Sequence, residues 1–257
     1  QYRRRLMFNK KSVLAGLFLF FMAGDVFAYR PLGTEDAGVA GKGVAQTEMS
    51  WDYLKWKNDD VEQLFMLVPI YGLTDNLELS VEIPYMFHNP KTGGSEEGIG
   101  DINVVAKYLL IQEGDKNPAF AVKAAVKMDN GDFDKGLGSG DKEYSLFAVA
   151  SKSIGQVTVH GQVGYTWVGG RKDENLRDIT LYGIAFDYAV AEPLHILAEI
   201  NGNRHPDRTS EEDDPRNALA GLTYKVSDNL TLDAGYRWGL SDSVPDWSTT
   251  LGVSITY

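Results

Sequence analysis

The side chains able to do chemistry recur two or four residues apart, with apolar residues between them. Glu78 and Glu82, Lys123 and Lys127, and Asp233 and Arg237 show the pattern. On an extended strand such spacing sets both groups on one face, opposite the apolar one. Arrays of this kind line a polar interior; they do not by themselves assemble an active site. Nucleophilic hydrolysis needs Ser, His and an orienting carboxylate or amide. The four histidines, His88, His160, His195 and His205, stand in no recognisable Ser setting and lack metal-ligand spacing. No Gly-rich loop follows a strand and opens a helix, as a phosphate site requires. We therefore expect no enzyme activity, no catalytic residue, no metal and no cofactor.

The elements that carry these side chains are strands. Alternation at period two recurs in Leu77-x-Leu79-x-Val81-x-Ile83-x-Tyr85-x-Phe87, Val157-x-Val159-x-Gly161-x-Val163-x-Tyr165-x-Trp167 and Leu230-x-Leu232-x-Ala234-x-Tyr236-x-Trp238. No long segment keeps an apolar face at helical spacing. The longer alternating runs exceed the usual globular strand of about 5–6 residues. They match a strand crossing a bilayer at a tilt, about 9–11 residues. The pattern predicts strands over 43–56, 61–72, 77–87, 99–111, 118–128, 143–152, 156–168, 178–190, 194–202, 216–226, 230–239 and 247–257. Connections at 73–76, 112–117, 153–155, 191–193 and 227–229 are short, whereas those at 88–98, 129–142, 169–177, 203–215 and 240–246 are mostly long and charged or Gly-rich. Short turns on one side and long loops on the other mark an outer-membrane barrel. The expected fold is all-β: a transmembrane antiparallel barrel, twelve strands, with short periplasmic turns and longer extracellular loops.

Two further patterns agree. Tyr71, Tyr188 and Tyr224 are each followed six residues later by Leu77, Leu194 and Leu230, a hairpin repeat of irregular period. Aromatics also fall at two levels. Tyr71, Tyr108, Tyr188, Tyr224 and Tyr257 lie at short-turn ends; Trp51, Tyr53, Tyr85, Phe87, Tyr165, Trp167, Tyr236, Trp238 and Trp247 lie toward long-loop ends. Two aromatic girdles flanking an aliphatic band suit a lipid-facing wall.

Charge and composition set the compartment. The 257 residues hold 36 acidic and 25 basic side chains and no cysteine. Five of the basic residues and one acidic residue precede position 29; beyond it 20 basic face 35 acidic, a net of −15. A polyanion lacks the basic face that displaces counterions from phosphate, so no nucleic-acid partner is expected. Lys10-Lys11, the apolar run 13–23 and the small-x-small site Val26-Phe27-Ala28 read as a signal peptide over 1–28, cleaved after Ala28. Met7 would be the natural start, and an uncleaved membrane anchor is the alternative. The mature chain, 29–257, is then a single barrel domain. Its first residues, 29–42, form a periplasmic segment at or inside the barrel mouth.

If the apolar face meets lipid, the other lines the lumen. That face holds Glu48 and Asp52 on the first strand, Glu78 and Glu82 on the third, and Asp101 and Lys107 on the fourth. Lys123 and Lys127 follow on the fifth, His160 on the seventh, Asp187 on the eighth, Glu199 on the ninth, and Asp233 and Arg237 on the eleventh. One sign would select ions; a mixture of signs also forms salt bridges across the lumen. Strand two is apolar on both faces, and we expect Phe65 and Leu67 to give the lumen an apolar patch. Strand six is open between Leu146/Ala148/Ala150 and Phe147/Val149. The acidic run 211–214 either collects divalent cations near lipopolysaccharide or is simply solvated.

Several stretches resemble one known family. Arg30-Pro31-Leu32-Gly33-Thr34-Glu35-Asp36-Ala37-Gly38, then Gly41-Lys42-Gly43, is similar to the opening of the outer-membrane family named for the MetA pathway of phenol degradation. Tyr71–Leu79 with Ile83-Pro84-Tyr85, Gly98-Ile99-Gly100-Asp101-Ile102, and the stretch from Gly161 to Gly169 fit it as well. The resemblance implies a transporter of small compounds, aromatic or weakly polar, in the bacterial outer membrane. Leu251, Val253, Ile255 and Tyr257 resemble the C-terminal signal read by the barrel assembly machinery. The expected partners are that machinery, outer-membrane lipid and lipopolysaccharide, and a small-molecule solute passing by passive diffusion. The competing expectation is a structural or adhesive barrel acting through its extracellular loops.

Overall fold

A computed structural model of the chain describes residues 30–91, 93–169 and 175–257. The expected signal peptide, Tyr29 and the middle of the 169–177 loop lie outside the described residues. The described chain is strand in its regular structure, apart from one 3-10 turn at Phe133–Lys135. It runs β1 (Ala45–Lys55), β2 (Val61–Thr74), β3 (Leu77–Asn89), β4 (Glu96–Ile99), β5 (Asn103–Ile111), β6 (Ala119–Lys127), β7 (Glu143–Ile154), β8 (Val157–Trp167), β9 (Ile179–Ala191), β10 (Leu194–Asn203), β11 (Arg216–Ser227), β12 (Leu230–Gly239) and β13 (Trp247–Thr256).

Apart from β4, which pairs with β3 alone, each strand pairs antiparallel with its neighbours around the wall, and β1 pairs with both β2 and β13, so the sheet closes. Trp51, for example, stands between Phe65 and Leu251. Closure gives each of the twelve wall strands a partner on both sides, the condition for placing a sheet in hydrocarbon. The result is a closed twelve-strand barrel with β4 as one extra short strand.

The expected fourth strand, 99–111, is therefore not continuous. β3 pairs with β4 at its outer end and with β5 at its inner end, and residues 100–102 break the line. Pro84 sits across from the break and has no N–H to donate. Gly100 N–H donates to the Pro84 carbonyl (3.0 Å), whereas Ile102 N–H leaves the wall for Asn130 Oδ1 (2.9 Å). Register shifts at Gly72/Thr74, Leu109/Ile111, Leu194/His195 and Lys225/Ser227 all fall beside short turns, the rim positions where bulges concentrate.

The alternation in sequence becomes an alternation of faces. Glu48, Ser50, Asp52 and Leu54 of β1 are buried inward; Leu251, Val163, Ile184 and Ile196 are exposed outward. Both aromatic levels lie on the outer face. Near the long loops the rings touch one another, as in Tyr236–Trp238 (4.8 Å) and the stacked pair Tyr53–Trp247 (5.6 Å).

Two face assignments are decided by the closed register. Phe65 and Leu67 do not line the lumen: they are 45% and 40% exposed on the outer face, and the inward residues of β2 are Leu64, Met66 and Val68. The pairing of β2 with β1 settles this, because Val68, Met66 and Leu64 stand opposite the inward Glu48, Ser50 and Asp52. Where both faces of a strand are apolar, alternation carries no direction, and only the neighbours' register supplies it. On β7 the same logic turns Phe147 and Val149 inward and leaves Leu146 outside.

Candidate functional site

The segment ahead of β1 does not stay at the periplasmic rim. It enters the barrel, and Arg30 to Glu35 are buried within it. An irregular segment inside a barrel brings unpaired backbone donors with it, and these need partners. The inward side chains supply them. Thr34 N–H donates to Glu199 Oε2 (2.5 Å) and Glu35 N–H to Gln162 Oε1 (3.0 Å). Ala37 N–H donates to Ser151 Oγ (2.8 Å), and Ala40 N–H to Glu78 Oε2 (2.6 Å). Ser151 Oγ in turn meets His160 Nδ1 at 2.8 Å. His160 is thus placed beside a serine, in a buried bracket that holds the segment.

Charge locks the segment from both ends. The Arg30 guanidinium lies 3.4 Å from Asp233 and donates to Thr250 Oγ1 (2.6 Å). The Glu35 carboxylate is bonded to Lys123 and lies 3.5 Å from Lys107, which also bridges to Glu78 (3.1 Å). Between these anchors Leu32 packs on Ala185, Leu197 and Leu219, and Ala37 joins Val105, Ala121, Phe147, Val149, Ile179 and Leu181. Room for the segment comes from missing side chains on the wall. A Cβ at Gly221 would stand 2.8 Å from the Pro31 ring, and one at Gly235 3.2 Å from it.

A second anchor draws an extracellular loop inward. Asp101 accepts from Gly131 N–H (2.8 Å), Ser139 N–H (2.6 Å) and the Ser139 hydroxyl (2.9 Å). Lys127 bridges to Glu143 at 2.7 Å and lies 3.9 Å from Asp101. The loop thereby carries Leu137 onto Leu54, Leu64, Met66, Val68 and Met86, an apolar cluster toward the extracellular end of the β1–β3 wall. This cluster, rather than Phe65 and Leu67, is the apolar part of the lumen.

Free space lies on the periplasmic side of that cluster. A cavity of about 270 Å³ separates the segment from the wall of β1, β2, β3, β5 and β6. Glu48, Glu78, Glu82, Lys107 and Lys123 border it, together with Glu35 and Asp36 of the segment.

The expected lumen residues thus divide by partner. Glu78, Lys107, Lys123, His160, Glu199 and Asp233 hold the N-terminal segment; Asp101 and Lys127 hold the outer loop. Asp187 pairs with His195 at 2.7 Å, and Arg237 is buried on β12. Glu48, Asp52 and Glu82 remain on the β1–β3 wall. Asp52 accepts from the hydroxyl of its neighbour Ser50 (3.1 Å). Arg30, Thr34 and Glu35 are the participants that strand periodicity passes over, since they lie outside every strand. Their signal was available in the resemblance of residues 30–43 and in inward glycines at Gly221 and Gly235, where a wall facing open water has no need of them.

Leu251, Val253 and Ile255 lie on the lipid face of the closing strand, and Tyr257 N–H donates to the Ala45 carbonyl (2.8 Å) at the seam. The extracellular acidic run is engaged locally: Asp214 accepts from His205 N–H (2.8 Å) and Asp213 lies 3.7 Å from Arg216. Among the described residues, no three His, Asp or Glu side chains converge as a metal site.

Comparison with solved structures places the fold among outer-membrane channels. The COG4313 outer membrane channel from Pseudomonas putida F1 superposes with a TM-score of 0.71 at 14% identity, over 86% of this chain and 98% of that one. The NanC porin gives a TM-score of 0.60 at 12% identity, over 81% and 98% of the two chains. The KdgM porin gives 0.57 at 11% identity, over 82% and 99%. No curated protein matches the sequence. A family model described as "Putative MetA-pathway of phenol degradation" matches residues 28–257, so that the occluding segment and the whole barrel fall within it, and the chain belongs to that family of outer-membrane barrels.

Proposed function

We propose that this protein passes small solutes across the outer membrane by passive diffusion, along the space left between its N-terminal segment and the β1–β3 wall. The observation that carries this reading is the cavity of about 270 Å³ inside a closed barrel, bordered by charges of both signs. A passive channel needs walls that bind a solute weakly enough to release it and needs no catalytic group. The apolar cluster of Leu54, Leu64, Met66, Val68, Met86 and Leu137 favours weakly polar or aromatic solutes over sugars. The transport role of that cluster replaces the one expected for Phe65 and Leu67.

The test is single-channel conductance in planar bilayers together with liposome swelling. The full mature chain should conduct as a narrow pore. Met66→Asp should slow swelling by a small aromatic more than swelling by a sugar, whereas Phe65→Asp should leave their ratio unchanged. The occluding segment favours one competing reading, a barrel that acts through its loops. Silence of both the wild type and a chain beginning at Gly41 would establish that alternative in place of transport.

A further inference from the structure

We propose that the cavity beside β1–β3 is a binding site for a small organic ammonium ion, anchored by Glu48. The basis is which of its charges are already committed. Lys107 and Lys123 are both engaged by Glu35, and Lys107 also by Glu78. Glu78 further accepts the Ala40 N–H, and Asp36 accepts the Gly38 N–H (2.6 Å). Two bordering carboxylates, among the described residues, have no lysine or arginine in direct contact. Glu82 accepts from the neutral amide of Asn103 (2.9 Å). Glu48 is 4% exposed; its Oε1 accepts from Gln46 Nε2 (2.7 Å), and its Oε2 has no hydrogen-bond partner.

A buried carboxylate oxygen left without a donor is costly, and a charged N–H donor is its strongest partner. The placement of the two carboxylates says which kind. Glu48 stands opposite Val68, and the pairing of Leu67 with Ile83 puts Glu82 on the far side of Val68. They are two strand spacings apart, roughly 10 Å along the wall. Among the described residues no third carboxylate or imidazole joins them as a metal site. Between them the wall is apolar, with Val68 and Ile70, and Val39 of the segment faces it. A donor-bearing head on Glu48 with a short alkyl chain along Val68 and Ile70 fits both features. The Gln46 amide carbonyl and the Ser80 hydroxyl offer further acceptors at the cavity wall.

Any cation preference of transport rests on the channel reading above, but the binding does not. Isothermal titration of the detergent-solubilised mature protein with butylammonium, butanol and butyrate separates the two. Butylammonium should bind, and the neutral and anionic analogues should not. Glu48→Gln, nearly the same shape, should weaken binding about tenfold, the size of one charge-assisted hydrogen bond. Glu113→Gln, at a distant periplasmic turn, should leave it unchanged. Heat-modifiable migration reports whether each variant is folded. In the wild type, butylammonium should also slow carbodiimide coupling at Glu48, mapped by mass spectrometry, so the proposal stays testable if the variant does not fold. Absence of binding by the wild type, or equal binding by Glu48→Gln, overturns the site even where bilayers conduct. Binding by a barrel silent in bilayers upholds the site and overturns only the channel.

Discussion

The two sides of the lumen handle charge in opposite ways. On the side of β5 to β12, inward ions are met: Lys107 and Lys123 by Glu35, Asp233 by Arg30, Lys127 by Glu143, Asp187 by His195. Apolar contacts with Leu32 and Ala37 fill the space between. On the side of β1 to β3, Glu48 and Glu82 face a cavity, and among the described residues neither has a lysine or arginine in direct contact. The difference arises from where the N-terminal segment runs. One wall is neutralised by the chain itself, and the other is left to whatever enters. Burying an ion is tolerated when a partner and hydrogen bonds come with it, so the first wall is organised for stability. The second retains chemical potential for a ligand.

The largest effect expected from disturbing this asymmetry is on conductance. A chain beginning at Gly41, refolded without the segment, should show a several-fold larger single-channel conductance, because the filled side of the lumen opens. Unchanged conductance would mean that the segment does not obstruct the path. Next comes Glu35→Ala, which leaves two buried lysines short of a partner and should cost about 3–5 kcal/mol in denaturant unfolding. A loss below about 1 kcal/mol would show that the lock is not needed for stability.

Leu251→Arg on the lipid face should cost about 2–4 kcal/mol if it lies near the bilayer midplane. Ser254→Arg, inward and opposite Glu48, should cost far less, since it brings a cation to the unneutralised wall. Equal costs would contradict the assigned faces. Gly235→Val places a side chain against Pro31 and should cost about 1–3 kcal/mol by overpacking, with a rise in conductance if the segment is displaced. The smallest effect belongs to Glu48→Gln. No ion pair is lost there, so stability should change by less than about 1 kcal/mol or increase. A loss as large as that of Glu35→Ala would place an unrecognised partner on Glu48 and erase the contrast between the two walls.

Much of the barrel is legible in the sequence. Strands β6, β8, β9 and β12 start and end within a residue or so of the alternating runs, because lipid on one side and polar contents on the other impose a strict period of two. The same constraint located Glu48, Glu78, Lys107, Lys123 and Asp233 on the inner face. It failed on β2, where Leu64-Phe65-Met66-Leu67-Val68 reads alike from both faces. It failed also at 100–102, where a proline on the neighbouring strand and a carboxylate turned toward a loop interrupt the pairing.

Sequence by itself determined the spans of most staves, the two aromatic levels and which polar residues of the regular strands turn inward, since each follows from local periodicity against a fixed solvent boundary. Only the tertiary structure decided what those inward residues meet. Arg30 lies 220 positions from Thr250, and Glu35 lies 88 from Lys123. No local pattern encodes a pairing across that distance: it exists because closing the barrel brings twelve strands around one short segment, and the segment's unpaired N–H groups and charges select their partners from what the wall presents.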